Sequence, residues 1–155
     1  MAAPTIGKKI TAFTVATTAT PKLTSKDLAG RPYVLYFYPK DDTPGCTLEG
    51  QDYAKHHADF GKLKVRILGV SRDTLASHEK FQRKYDLPFE LVADTDEKLC
   101  TQFGVIKEKN MYGKKVLGIE RSTFLVDADG VLRKEWRKLK VDGHVVEVLA
   151  AAAEL

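Results

Sequence analysis

The longest apolar signal in the chain is Pro32–Tyr38, which reads Pro-Tyr-Val-Leu-Tyr-Phe-Tyr. An unbroken run of this kind predicts a strand buried on both faces. Val65–Ser71 repeats the pattern, Leu91–Ala93 is a shorter instance, and Ile10–Ala16 alternates in part like a strand. Helical spacing fills the intervals. Thr24–Ala29 reads as a short helical turn stopped by Gly30, and Thr74–Tyr85 as an amphipathic helix with Pro88 beyond its end. A helix is expected from Thr43–Cys46 to about Phe60, with Pro44 suited to its first turn. Asp94 or Asp96 can cap a helix over Glu97–Phe103, and Asp142 one over His144–Ala153. Arg121–Asp127 and Val131–Trp136 read as strands joined at Asp129-Gly130, a hairpin signal. Alternating strands and helices ending in a hairpin predict an α/β fold, a central mixed sheet flanked by helices.

Composition narrows the class. A chain of 155 residues, 43% hydrophobic, suits a single domain spanning residues 1–155. No run of 18 apolar residues occurs, so no membrane span is expected. Met1–Lys9 lacks a basic start followed by an apolar stretch, so no secretory leader is expected. Two cysteines, Cys46 and Cys100, are too few for a disulfide scaffold and suit a reducing compartment, the cytoplasm. The net charge of +4 is spread, with basic and acidic residues interleaved in Lys107–Lys115 and Arg133–Lys140. These read as solvated faces, and no nucleic-acid partner is expected.

The candidate chemistry lies where the first buried strand ends. Pro39-Lys-Asp-Asp-Thr-Pro-Gly is strong loop punctuation, and Cys46 follows at a helix start. In open α/β sheets the crevice beyond the carboxyl ends of strands is where ligands bind. The nucleophile there would be a thiolate, yet at an ordinary pKa near 8.5 only about 3% of a cysteine is ionised at pH 7. A helix N-terminus favours the anion by roughly 0.3–2 kcal/mol. A cation about 4 Å away contributes about 4 kcal/mol of gross attraction at an effective dielectric near 20, so a guanidinium is the larger effect. Arg121, at the start of a predicted strand, is the candidate. Thr43, three residues before Cys46, could orient a substrate oxygen or cap the helix. Glu49, three residues after it, could reach back to the helix start, orient Arg121, or stand exposed. Pro39 would shape the loop and shield the thiol.

The run Pro39-Lys-Asp-Asp-Thr43-Pro-Gly-Cys46 resembles the peroxiredoxin active-site motif of proline, three residues, threonine, two residues and cysteine. Tyr36–Lys40, Thr47-Leu48-Glu49, Lys109–Lys115 and Gly118–Phe124 resemble the peroxiredoxin Q branch, also called bacterioferritin comigratory protein. The likeness covers nearly the whole chain. It implies a thioredoxin-like fold and reduction of hydrogen peroxide and organic hydroperoxides by thiols. By matching position, Cys46 is implied as the peroxidatic cysteine, Thr43 and Arg121 as its peroxide-binding partners, Pro39 as a pocket wall and Glu49 as support for the arginine. No metal, haem, flavin or other cofactor is implied. The implied partners are a hydroperoxide and a thiol reductant such as thioredoxin or glutaredoxin/glutathione, and the implied state is a monomer.

One departure stands out. Many members of this branch carry a resolving cysteine five residues after the first, where this chain has Gln51; others place it about 36 residues on, at Gln82 here. The chain therefore reads as a one-cysteine enzyme, with Cys100 structural or an unusual resolving residue. His56, His57, His78 and His144 form no ligand spacing, so no metal site is expected. A thioredoxin-like dithiol exchange protein would need a close partner cysteine where Glu49 stands. A holdase chaperone on the same fold is the remaining alternative; it would retain chaperoning without consuming peroxide.

Overall fold

The computed structural model describes residues 3–155; the first two residues of the Met1–Lys9 stretch read for a leader lie outside the described residues. The chain runs through β1 (Thr14–Val15), β2 (Leu23–Thr24), a 3-10 turn (Ser25–Leu28), β3 (Tyr33–Phe37), α1 (Pro44–Lys55), α2 (His57–Lys62), β4 (Arg66–Ser71) and α3 (Leu75–Lys84). It continues with β5 (Glu90–Ala93), α4 (Lys98–Gln102), β6 (Ile106–Met111), β7 (Lys114–Ile119), β8 (Ser122–Val126), β9 (Leu132–Trp136) and α5 (His144–Ala153).

Five strands form the central sheet in the order β5-β4-β3-β8-β9. β3 and β4 pair in parallel, as do β4 and β5, whereas β8 lies antiparallel to β3 and β9 antiparallel to β8. The sheet is mixed, as the terminal hairpin predicted. Every residue of β3 is buried, because apolar layers cover both of its faces. Tyr33, Leu35 and Phe37 enter one core with Leu99, Cys100 and Phe103 of the α4 region. Val34, Tyr36 and Tyr38 enter the other with Cys46 and Tyr53 of α1, Phe60 of α2, Phe81 of α3 and Val145 of α5. Alternation along one strand thus assigns the two cysteines to opposite sides of the sheet. Gly69 of β4 permits the second core to close: a Cβ there would lie 2.8 Å from Tyr36 and Leu91, so only glycine admits the Tyr36 ring.

Several sequence expectations shift. The strand expected over Ile10–Ala16 is only Thr14–Val15, paired with Leu23–Thr24. The helix expected to about Phe60 divides at His56, whose φ/ψ of −102/9 leaves the helical region. Asp142 does not cap α5; that place belongs to Gly143 in a left-handed conformation, φ 73, and Asp142 stands one residue too early. The charged side chains of Lys107–Lys115 are exposed or half-buried, as a solvated face should be, but the backbone of the run has an order that was not expected. It makes an antiparallel hairpin of β6 and β7, turned at Tyr112 (φ 53) and Gly113 (φ 78). Left-handed backbone at both central residues is what a two-residue hairpin turn requires.

Candidate active site

Strand register brings the candidate residues together. β3 ends at Phe37, which pairs with Ser122, so Arg121 lies just beyond that pair, beside the start of the Pro39–Thr43 loop. After the loop, Pro44 opens α1 and Cys46 falls in its first turn. The thiol is almost wholly enclosed, with 2% of the residue exposed. Arg121 Nη2 donates to Cys46 Sγ at 3.3 Å, and Nη1 donates to Glu49 Oε1 at 2.7 Å. Cys46 and Glu49 are three residues apart on α1 and so share a face, which lets one planar guanidinium bridge both. Gly45 makes room for it, since a Cβ at that position would stand 3.1 Å from Arg121 Nη2.

The charges respond to this packing. Burial pushes the Glu49 carboxyl up, against the opposing pull of Arg121, and the balance leaves it at about 7 from an ordinary 4.5. Glu49 Oε2 has no hydrogen-bond partner among the described residues. Burial works against the Arg121 cation, but Glu49 and Cys46 outweigh it and hold the guanidinium above its ordinary value. At 3.3 Å from the sulfur, the guanidinium supplies about 5 kcal/mol of gross attraction to a thiolate at an effective dielectric near 20.

Thr43 occupies the N-cap position of α1 by backbone geometry, but its side chain caps nothing. Its hydroxyl donates instead to the Lys40 carbonyl at 2.8 Å, which leaves the oxygen lone pairs as acceptors. Pro39 and Arg121 line a groove of about 510 Å³, bounded by Lys109 and Asn110 of β6 and by Lys138 and Leu139. Neither cysteine lines this groove, nor the hollow of about 490 Å³ between β1 and α4; Arg121 is what joins the groove to the sulfur.

Cys100 is set apart. It is fully buried in the other core, and its thiol is pushed well above the ordinary range by burial and then by Asp94. The N-cap position of α4 is held by Glu97 in a left-handed conformation (φ 62), not by Asp94 or Asp96; Asp94 accepts from the N–H groups of Leu99 and Cys100 at 3.0 and 2.7 Å from outside the helix, while Asp96 accepts from Lys98 N–H at 3.2 Å. Gln82 donates to the Phe89 carbonyl at 2.8 Å, and Gln51 is exposed on α1. Sequence reasoning missed a second cluster at the loop: Asp41, Asp73 and His78 bring ligand-type atoms within 4.8 Å of one another. These residues stand 32 and 5 positions apart in sequence, so no local spacing marked them.

The AhpC/TSA family model matches residues 6–135. The chain is 58% identical over 123 residues to Peroxiredoxin Bcp of Xanthomonas campestris, covering 79% of this chain and 77% of that one. It is 50% identical over 129 residues to Peroxiredoxin Bcp of Bacillus subtilis, covering 83% and 82%. Xanthomonas campestris Peroxiredoxin Q superposes with a TM-score of 0.87 at 51% identity, covering 92% and 90%. That protein has also been solved as two Cys-to-Ser mutants, at positions 36 residues apart; the same step from Cys46 falls on Gln82.

Proposed function

The chain belongs to the AhpC/TSA family, in its peroxiredoxin Q branch, and from that premise we propose that Cys46 is the peroxidatic thiolate of a thiol-dependent peroxidase. The observation that carries this reading is the Arg121 guanidinium shared between Cys46 Sγ and Glu49 Oε1. It stabilises the anion and leaves further N–H groups for a peroxide oxygen.

A hydroperoxide approaches along the groove bounded by Pro39 and Arg121, and its O–H donates to the Thr43 oxygen. The thiolate attacks the terminal oxygen and the O–O bond breaks. Cys46 becomes a sulfenic acid, and the departing alkoxide or hydroxide takes a proton to leave as alcohol or water. A reductant thiol then displaces water from the sulfenic acid to give a mixed disulfide. A second thiol releases Cys46 and carries away the disulfide. With Cys100 across the sheet and glutamines at the two resolving positions, the second sulfur comes from another molecule, thioredoxin or a glutaredoxin/glutathione thiol. We place this one-cysteine enzyme as a monomer in the reducing cytoplasm, supported by two free cysteines and the branch it resembles.

Intact mass spectrometry after one equivalent of hydrogen peroxide, with and without added thiol, tests the reading. A single added oxygen on Cys46, removed by thiol, is expected. A protein that, without added thiol, stays unmodified while peroxide is consumed would overturn it.

A further inference from the structure

Asp41 lies at one of the three positions that the Pro39–Thr43 part of the motif leaves unspecified, yet it is the most tightly held residue of the loop. Its side chain is buried and accepts from Tyr38 Oη at 2.6 Å, from Ser77 Oγ at 2.8 Å and from His78 Nδ1 at 2.8 Å. Its N–H donates to Asp73 at 2.9 Å, and Asp73 in turn accepts from Ser71 Oγ at 2.5 Å. His78 is fully buried in α3, and its Nε2 faces the Val92 carbonyl at 2.8 Å. A carbonyl only accepts, so Nε2 carries a proton, and the contact between Nδ1 and the carboxylate holds one more. Both Asp41 oxygens already have donors, so this cluster reads as a closed latch rather than a cation site. The next residue, Asp42, is held in a left-handed conformation (φ 58) by Lys84 Nζ and Tyr85 Oη, both at 2.6 Å. The loop between Pro39, which lines the groove beside Arg121, and Thr43 is thus tied at consecutive residues to α3 and its end, an element that makes no bond to the sulfur.

The sulfur needs such a tie and also its release. At 2% exposure Cys46 suits a small hydroperoxide, but a protein thiol cannot reach it without movement of the surrounding loop. We propose that Asp41 and His78 are a positioning pair for the peroxide step: their proton-bridged contact holds Pro39 and Thr43 over Cys46, and its rupture opens the sulfur to larger thiol reagents. The proposal rests on Cys46 being the peroxidatic residue. Arg121 is carried by the β8 end of the sheet, so it stays at the sulfur when the loop leaves. Opening therefore separates two reactivities that loss of the thiolate would lower together.

The test measures Cys46 oxidation by hydrogen peroxide and Cys46 alkylation by iodoacetamide in the reduced protein. Asp41→Asn and His78→Gln are expected to slow oxidation about tenfold, the scale of one hydrogen bond to a charged group, while alkylation becomes faster. His78→Asn, whose amide can replace Nδ1 as donor to Asp41, is expected to stay near wild type; His78→Gln preserves only the contact to Val92. Folded variants with unchanged rates, a fall in both rates together, or equal behaviour of His78→Asn and His78→Gln would each overturn the latch. Should Asp41→Asn or His78→Gln lose cooperative unfolding in urea, Tyr38→Phe and Ser77→Ala remove single donors at nearly constant volume. They are expected to give smaller changes of the same opposing signs, and unchanged rates in both would overturn the proposal. A wild-type protein that consumed no peroxide would sink the peroxidase reading and the latch together, whereas active wild type with indifferent variants would remove the latch alone.

Discussion

Replacing Glu49 with glutamine isolates the contest between burial and charge at the centre of the site. The carboxyl is fully enclosed, one oxygen held by Arg121 at 2.7 Å and the other without a partner among the described residues. Burial outweighs the arginine, and the group rests at about 7 instead of 4.5. At about 1.4 kcal/mol per pH unit, that displacement corresponds to about 3 kcal/mol. The folded protein keeps a proton on Glu49 where the unfolded chain has lost it. The stability this contributes is therefore complete below about 4.5 and is lost as the pH rises towards about 7. Glu49→Gln has no proton to lose. Urea unfolding of both proteins, each carrying Cys46→Ser to remove the thiolate, measures the stability gap across this range. The gap should move against the Glu49 protein by about 3 kcal/mol between these limits and then level off. Other titrating groups are common to both proteins and cancel. A gap independent of pH would refute the balance argued here. A gap that moves in favour of Glu49 as pH rises would mean that Arg121 outweighs burial and holds the carboxylate ionised.

Cys46→Ser should abolish peroxide consumption while leaving the circular dichroism spectrum intact, because a buried hydroxyl cannot supply the nucleophile. Arg121→Ala should slow Cys46 oxidation by about 100-fold or more in stopped-flow measurements, with Arg121→Lys recovering only part, because an ammonium cannot bridge Cys46 and Glu49 as the planar fork does. Gly45→Ala should also slow oxidation, since the added methyl crowds Nη2 from 3.1 Å; an unchanged rate would show that the guanidinium shifts without loss. Cys100→Ser should leave turnover with an external thiol nearly unchanged, while placing a hydroxyl in a fully buried site lowers stability by about 1–3 kcal/mol. Loss of two hydrogens on oxidation, with peptides joining Cys46 to Cys100, would refute the one-cysteine cycle.

Local chemistry made much of this protein legible from its residues alone. The Pro32–Tyr38 run specified a strand buried on both faces, because no polar position interrupts it. Proline and glycine around Thr43 marked the loop, and the helix start placed Cys46 in a first turn. Asp129-Gly130 marked the final hairpin, spacing from Cys46 singled out Glu49, and Arg121 was a candidate because it opens a predicted strand. What distance in sequence concealed, only folding decided. The β3–β8 register delivers Arg121 across 75 residues to Cys46, and burial lifts the Glu49 carboxyl, a property no isolated glutamate has. Thr43 proved to cap by backbone alone, because Lys40 claims its hydroxyl. The β6–β7 hairpin escaped notice because its exposed strands bury too little apolar surface to show a period of two. Asp41 and His78, 37 residues apart, looked like a loop carboxylate and an isolated histidine until packing put them 2.8 Å from each other. The two cysteines are indistinguishable in composition. The sheet separates them, because alternate residues of β3 face opposite cores, and that separation leaves Cys46 beside a guanidinium and Cys100 beside a carboxylate.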